Sequence, residues 1–225
     1  MRIAEIFHSV QGEGGLIGVP SVFVRSSGCN LRCVWCDTPY ASWRPEGADH
    51  PVSSILEEVA RFHSLHVVVS GGEPMIAPDI VALTEGLRRL GLHITIETAG
   101  TVFAPVLCDL MSVSPKLSNS TPLDDAHWAP RHDRLRIQPD VLRRLMDAYR
   151  YQLKFVVASP GDLDEIRPLV ERLAADPSKV FLMPEGREAS LLRERALWIV
   201  EICKREGFRF SPRLHIDLYG DRRGV

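Results

Sequence analysis

Three of the five cysteines crowd into Gly28-Cys29-Asn30-Leu31-Arg32-Cys33-Val34-Trp35-Cys36-Asp37-Thr38. The spacing is Cys-x3-Cys-x2-Cys, and it offers three thiolates from one short loop. Three thiolates can hold three corners of an iron–sulfur cubane. The fourth iron then has no protein ligand and stays open to a small molecule. Two other readings fit the spacing alone. One is a zinc site completed by His8 or His50, the other a set of redox-sensing thiols. An odd number of cysteines, clustered rather than paired across the chain, argues against a disulfide framework. Cys108 and Cys203 sit in apolar runs and are expected to be buried free thiols.

Two further segments carry polar groups at places where a backbone could meet a ligand. Val67-Val68-Val69-Ser70-Gly71-Gly72-Glu73-Pro74 reads as a strand running into a turn. Its glycines leave room for close approach, and Glu73 could help grip an amino group. A plain tight turn has the same residues. Near the N-terminus, Val10-Gln11-Gly12-Glu13-Gly14 follows an apolar run. Gln11 and Glu13 offer an amide and a carboxylate to a flat nitrogen heterocycle, and Arg25 offers a fork for a carboxylate. A glycine-rich hairpin with an ordinary strand-end arginine is the plainer alternative. An open iron beside a glycine-rich strand end suits a cofactor with amino and carboxylate groups. S-adenosylmethionine (SAM) is such a cofactor, cleaved to a 5′-deoxyadenosyl radical when an electron enters its sulfonium.

The elements that must position these residues alternate. Strand-type runs lie at Arg2–Phe7, Ser21–Arg25, His66–Ser70, His93–Glu97, Leu107–Met111, Gln152–Val157 and Lys179–Met183. Helical periodicity marks Val52–His63, Asp79–Leu90, Pro139–Tyr149, Asp162–Ala174 and Glu188–Glu206, with Ser53 or Ser54 expected to cap the first. Strands alternating with helices predict an α/β fold with a largely parallel sheet, an open or partial TIM-like β/α barrel. Such sheets carry their working residues at the C-terminal ends of strands, where the motifs above fall, as does Ile96-Glu97-Thr98-Ala99-Gly100. Pro115–Asp140 is rich in Pro, Asp, Asn, Ser and Arg and is expected to be a long loop or small insertion, free to move. The rest of 1–225 is expected to form one domain around it. A net charge of −2 gives no case for nucleic acid or a membrane surface as partner. No apolar run is long enough to span a bilayer, and no targeting segment is read at the N-terminus, so a cytoplasmic enzyme is expected.

The three-cysteine loop and Gly71-Gly72-Glu73-Pro74 together resemble the radical SAM superfamily. Val10-Gln11-Gly12-Glu13-Gly14, Gly18-Val19-Pro20, Arg25, the run through Asp37-Thr38, Ser70, Glu97-Thr98-Ala99-Gly100 and Ser114-Pro115-Lys116-Leu117-Ser118 narrow the resemblance to the 7-carboxy-7-deazaguanine synthase family. The resemblance covers the first half of the chain clearly and the second half loosely. It implies the radical SAM type of partial barrel and a carbon–nitrogen lyase of queuosine (7-deazapurine) biosynthesis. The implied reaction takes 6-carboxy-5,6,7,8-tetrahydropterin to 7-carboxy-7-deazaguanine with loss of ammonia, by removal of hydrogen from C6, ring contraction, return of hydrogen and regeneration of SAM. It implies a [4Fe-4S] cluster on Cys29, Cys33 and Cys36, and Mg²⁺ at Thr38. SAM would be bordered by Trp35, Cys36, Asp37, Gly72, Glu73, Ser114, Pro115 and Lys116. The pterin would be bound by Val10, Gln11, Gly12, Glu13, Arg25 and Ser70. No side chain is assigned as catalytic, because the SAM-derived radical does the chemistry. A homodimer and an electron donor such as flavodoxin follow by the same analogy. Glycyl-radical activases share the cysteine spacing and stand as the alternative within the superfamily. His215 and the tail after it could close the pocket, and no specific contact is assigned to them.

Overall fold

The computed structural model describes residues 1–225. A single nine-stranded sheet runs through the molecule in the order β3-β1-β2-β4-β5-β6-β7-β8-β9. The strands are β1 (Arg2–Val10), β2 (Pro20–Ser26), β3 (Ala48–Asp49), β4 (His66–Gly71), β5 (His93–Thr98), β6 (Leu110–Val113), β7 (Tyr151–Val157), β8 (Val180–Pro184) and β9 (Arg209–Phe210). β1 is antiparallel to both β2 and β3, and from β2 to β9 every pairing is parallel. Helices α1 (Val52–Ala60), α2 (Ile80–Arg89), α3 (Trp128–Leu135), α4 (Pro139–Ala148), α5 (Leu163–Leu173), α6 (Ala189–Glu206) and α7 (Leu214–Tyr219) complete the chain. Because β3 and β9 remain unpaired edges, the barrel is open, as the alternation of elements predicts.

The two-residue period of each strand divides labour between the faces. Val67 and Val69, Ile94 and Ile96, Met111 and Val113, and Leu153 and Phe155 join the apolar core with Ile55 of α1, Leu83 of α2, Leu142 of α4 and Ile166 of α5. The intervening residues point inward: Arg25, Ser70, Glu97 and Lys154 line the central cavity. Burying the outer face stabilises the sheet, so the inner face is free to carry polar groups.

The chain after β1 joins the two ends of the sheet across that cavity. Gly14 N–H donates to Ser211 Oγ at 2.8 Å and Gly15 N–H to Gln152 Oε1 at 2.9 Å. Leu214 N–H donates to Gly12 O at 2.9 Å. Residues from β1, β2, β7 and β8 therefore face one space.

Three expectations change. The 115–140 segment is not simply a loop, since it contains α3 and a fully buried His132. The sixth strand begins at Leu110, because Asp109 exchanges bonds with Ile94 through both backbone and carboxylate and so fixes where the pairing starts. Neither Ser53 nor Ser54 caps α1; Pro51 occupies that position, without a side-chain hydrogen bond.

Candidate active site

The cysteine loop leaves β2 and is seated on the turn that follows β4. Gly72 N–H donates to Ser26 O at 3.1 Å and Glu73 N–H to Gly28 O at 2.9 Å. A Cβ on Gly72 would strike the carbonyls of Gly28 and Ala41, so only glycine allows the two segments this close. Cys29, Cys33 and Cys36 are all free and all line the cavity. Trp43 Nε1 donates to Cys33 O at 2.9 Å, and Cys36 Sγ lies 3.1 Å from Ser42 Oγ. Burial pushes the Cys29 and Cys33 thiols up to about 12, so iron must displace their protons when it binds. No three His, Cys, Asp or Glu side chains converge as the ligands of one ion do. A cubane asks instead for three thiolates that each take a different iron. This donor set fits it, and neither His8 nor His50 lines the cavity that the cysteines share.

A connected set of polar side chains lines the same cavity. Glu97 accepts from Gln11 Nε2 at 3.0 Å and from Ser70 Oγ at 2.9 Å. Arg25 Nε donates to Glu5 Oε1 at 2.6 Å, and Tyr40 holds the same carboxylate at 2.8 Å. Lys154, buried, pairs with Glu13, which is partly buried. Burial alone would raise the Glu13 carboxyl, but Lys154, Arg213 and His215 outweigh it and hold it well below the usual carboxylate range. Burial would lower the Lys154 ammonium, but Glu13 and Glu97 raise it. Arg213 reaches from the segment before α7 to Asp37 Oδ2 at 2.6 Å and to Gly186 O at 2.5 Å. The imidazole of His215 fills the space that a Cβ on Gly12 would need.

The sequence profile of the Radical SAM superfamily matches residues 23–117. The 7-carboxy-7-deazaguanine synthase of Halobacterium salinarum is 46% identical over 98% of this chain and 91% of its own length. That of Rhodopirellula baltica is 45% identical over 100% of this chain and 89% of its own. The crystal structure of QueE from Escherichia coli superposes with a TM-score of 0.70 at 26% identity, covering 95% of this chain and 94% of that one. The chain belongs to the 7-carboxy-7-deazaguanine synthase family. It is a radical SAM enzyme, and SAM and a [4Fe-4S] cluster are its cofactors.

Within this synthase fold, all but two of the residues singled out in the sequence line one cavity. They are Val10, Gln11, Gly12, Glu13, Arg25, Ser70, Trp35, Asp37, Thr38, Gly72, Ser114 and Lys116, with the three cysteines. The exceptions are Glu73 and Pro115, which do not reach the cavity. The Glu73 carboxylate accepts from Thr98 Oγ1 at 2.7 Å, Ala99 N at 2.8 Å and Met75 N at 3.0 Å, so it braces the ends of β4 and β5. Lys116 curls back onto Ser114, donating to its carbonyl at 2.9 Å and its hydroxyl at 2.8 Å. Cys203 is buried as expected and Cys108 partly so.

Sequence reasoning missed Glu5, Lys154 and Arg213 as members of the site, while His215, expected only as a residue that could close the pocket, lines it. For Lys154 a signal existed: a lysine inside Leu153-Lys154-Phe155-Val156-Val157 has no reason to sit in a buried parallel strand without a partner. Arg213 carries no local signal, because its partners Glu13 and Asp37 lie near the other end of the chain. No helix of this family member is long and apolar enough to cross a membrane.

Proposed function

We propose that this enzyme converts 6-carboxy-5,6,7,8-tetrahydropterin to 7-carboxy-7-deazaguanine with release of ammonia, in queuosine biosynthesis. The observation that carries the reading is that Gln11, Ser70, Glu97 and Arg25 share one cavity with the three-cysteine loop. Arg25, aimed by Glu5, supplies the fork for the substrate carboxylate. The Glu13 carboxylate has acceptor capacity left beyond Lys154 and suits the donor edge of the pterin. Gln11 and Ser70, tied to Glu97, present fixed polar groups to the ring, while Val10 and Gly12 allow a flat molecule close to the backbone.

On the other side, Cys29, Cys33 and Cys36 would hold the cluster. Trp35, Asp37, Gly72, Ser114 and Lys116 would border SAM. When bound, the two cofactors together supply a carbon radical strong enough to take hydrogen from carbon. The chain's part is to hold the substrate carbon in reach of that radical and to keep water out. The Thr38 hydroxyl would serve Mg²⁺, whose preference is for oxygen ligands. A homodimer, a flavodoxin-type electron donor, a cytoplasmic setting and action of residues 1–225 as one domain belong to the same reading.

The test is anaerobic incubation of reconstituted enzyme with the carboxypterin, SAM, Mg²⁺ and a reductant, with product followed by mass spectrometry. Formation of the deazapurine and ammonia in equal amounts is expected. Formation of 5′-deoxyadenosine with a glycyl-radical partner protein, and no deazapurine from the pterin, would favour an activase instead.

A further inference from the structure

Residues 117–136 take no part in the proposed function, yet they are fastened to the cysteine loop at several points. Val34 N–H donates to Ser120 O at 3.0 Å, and Trp35 Nε1 donates to Asn119 O at 3.1 Å. The Arg32 guanidinium donates to the carbonyls of Cys29 at 2.8 Å and Leu31 at 2.7 Å, and its plane lies 4.1 Å from the centre of the Trp128 ring of α3.

The innermost fastening is His132, with no exposed surface. Its Nδ1 accepts from the Arg32 amide at 3.1 Å, between two cysteine ligands in sequence. Its Nε2 lies 2.9 Å from Ser120 Oγ. A serine hydroxyl has one proton, and that of Ser120 goes to Leu117 O at 2.6 Å. Ser120 Oγ is therefore the acceptor and His132 Nε2 the donor. Each partner fixes the next: Leu117 O orients the hydroxyl, the hydroxyl fixes the tautomer, and the tautomer leaves the Nδ1 lone pair for the loop amide.

We propose that His132 is a positioning residue for the iron–sulfur cluster: through Ser120 on one side and the Arg32 amide on the other, it holds the backbone between Cys29 and Cys33 in the shape that receives iron. The inference rests on the cluster assignment and deepens it. His132 does not line the cavity, and its hydrogen bonds go to the Arg32 amide and Ser120 rather than to a cysteine sulfur. It acts as outer-shell partners do at other metal sites, where their loss weakens metal retention without removing a ligand.

Four full-length variants test this: H132N, H132Q, H132F and S120A. Asparagine can place an acceptor near the position of Nδ1. Glutamine can place a polar group near Nε2 but leaves the Arg32 amide without its acceptor. Phenylalanine fills the volume and offers neither. In metal-free protein, hydrogen exchange at the Arg32 amide is expected to stay slow in H132N and to quicken in H132Q and H132F. After reconstitution, a ferrous chelator is expected to strip iron from H132Q and H132F about tenfold faster than from wild type or H132N. Ring nitrogen shifts should report the Nε2–H form in wild type and a mixture in S120A, with faster iron loss. Should H132F fail to fold, S120A and the asparagine–glutamine contrast decide the matter. Equal iron retention in H132N and H132Q, or wild-type retention in S120A despite a changed tautomer, would overturn the proposal. Absence of any sulfide-bridged iron in wild type would instead overturn the cluster assignment.

Discussion

The residues least expected on the inner face of a parallel sheet are charged, and Lys154 is the clearest of them. Its buried ammonium is paired with the partly buried Glu13 carboxylate, and each is kept ionised by the other. Removing one partner strands a charge in a low-dielectric site, which costs about 3–5 kcal/mol, whereas removing both leaves Arg213, still paired with Asp37, as the one neighbour that loses a charge partner. Lys154→Met is therefore expected to lower unfolding free energy by about that amount in urea titrations. The double variant Glu13→Gln/Lys154→Met should recover most of the loss in stability and none in substrate binding.

His132 gives a second residue-scale prediction. Burial first, then the positive charge of Arg136, lowers its imidazole to about 4. The unfolded chain takes up that proton near the ordinary value of 6.5, before the folded protein does. The unfolded state thus binds more protons between those two values, and folded stability falls as pH drops through that window. Each pH unit of this linkage is worth up to about 1.4 kcal/mol. Denaturation midpoints of metal-free protein at pH 7 and pH 4.5 should differ more for wild type than for His132→Asn, which cannot titrate. Equal differences would remove His132 from the account.

At the scale of elements, the strand-and-helix alternation was legible because each strand carries its apolar residues toward the helices. The turn after β4 was equally legible, since Gly71-Gly72 is a local signal. Helix α3 was not legible: Trp128-Ala129-Pro130-Arg131-His132-Asp133-Arg134-Leu135 has no apolar stripe, and its order comes from His132 and Trp128 docking on the cysteine loop. Helix α7 was missed for a related reason. It is short, and it is placed by Leu214 N–H on Gly12 O and by His215 packed against Gly12. A Cβ at Gly12 would meet Nδ1 and Cγ of that ring. Gly12→Ala is expected to push His215 aside and reshape the substrate side of the cavity. A shift of about 1 Å there can reduce kcat/KM by about a hundredfold. Tm should change little, since α7 contributes only Ile216 to the buried set. Steady-state kinetics beside a thermal melt would check both parts, and wild-type kcat/KM would show that His215 has no bearing on the pocket.

Across the whole molecule, Arg213 joins three regions that meet only in the folded state. Its guanidinium engages Asp37 of the cysteine loop and the carbonyl of Gly186 after β8, with its Nε 3.5 Å from Glu13 Oε1. That Nε has no hydrogen-bond partner despite its burial, so Glu13 helps it by charge rather than by a formed bond. An open sheet has no ladder to close its two ends, and this arginine supplies a link between them. Lysine cannot replace it, because a single ammonium cannot present two parallel donors to Asp37 and a third to Gly186. Arg213→Met is therefore expected to lose about 3 kcal/mol or more of stability as Asp37 and Glu13 are left under-compensated, and Arg213→Lys, which keeps the charge but not the fork, to lose part of that. The loss should not be spread evenly. Amide exchange is expected to rise first in 211–219 and 12–15, the two stretches that bridge the cavity, while β4 through β7 keep their protection. Uniform acceleration across the sheet, or a lysine variant as stable as wild type, would mean that the barrel mouth is held by its backbone bonds to Gly12, Gly14 and Gly15 without need of the arginine fork.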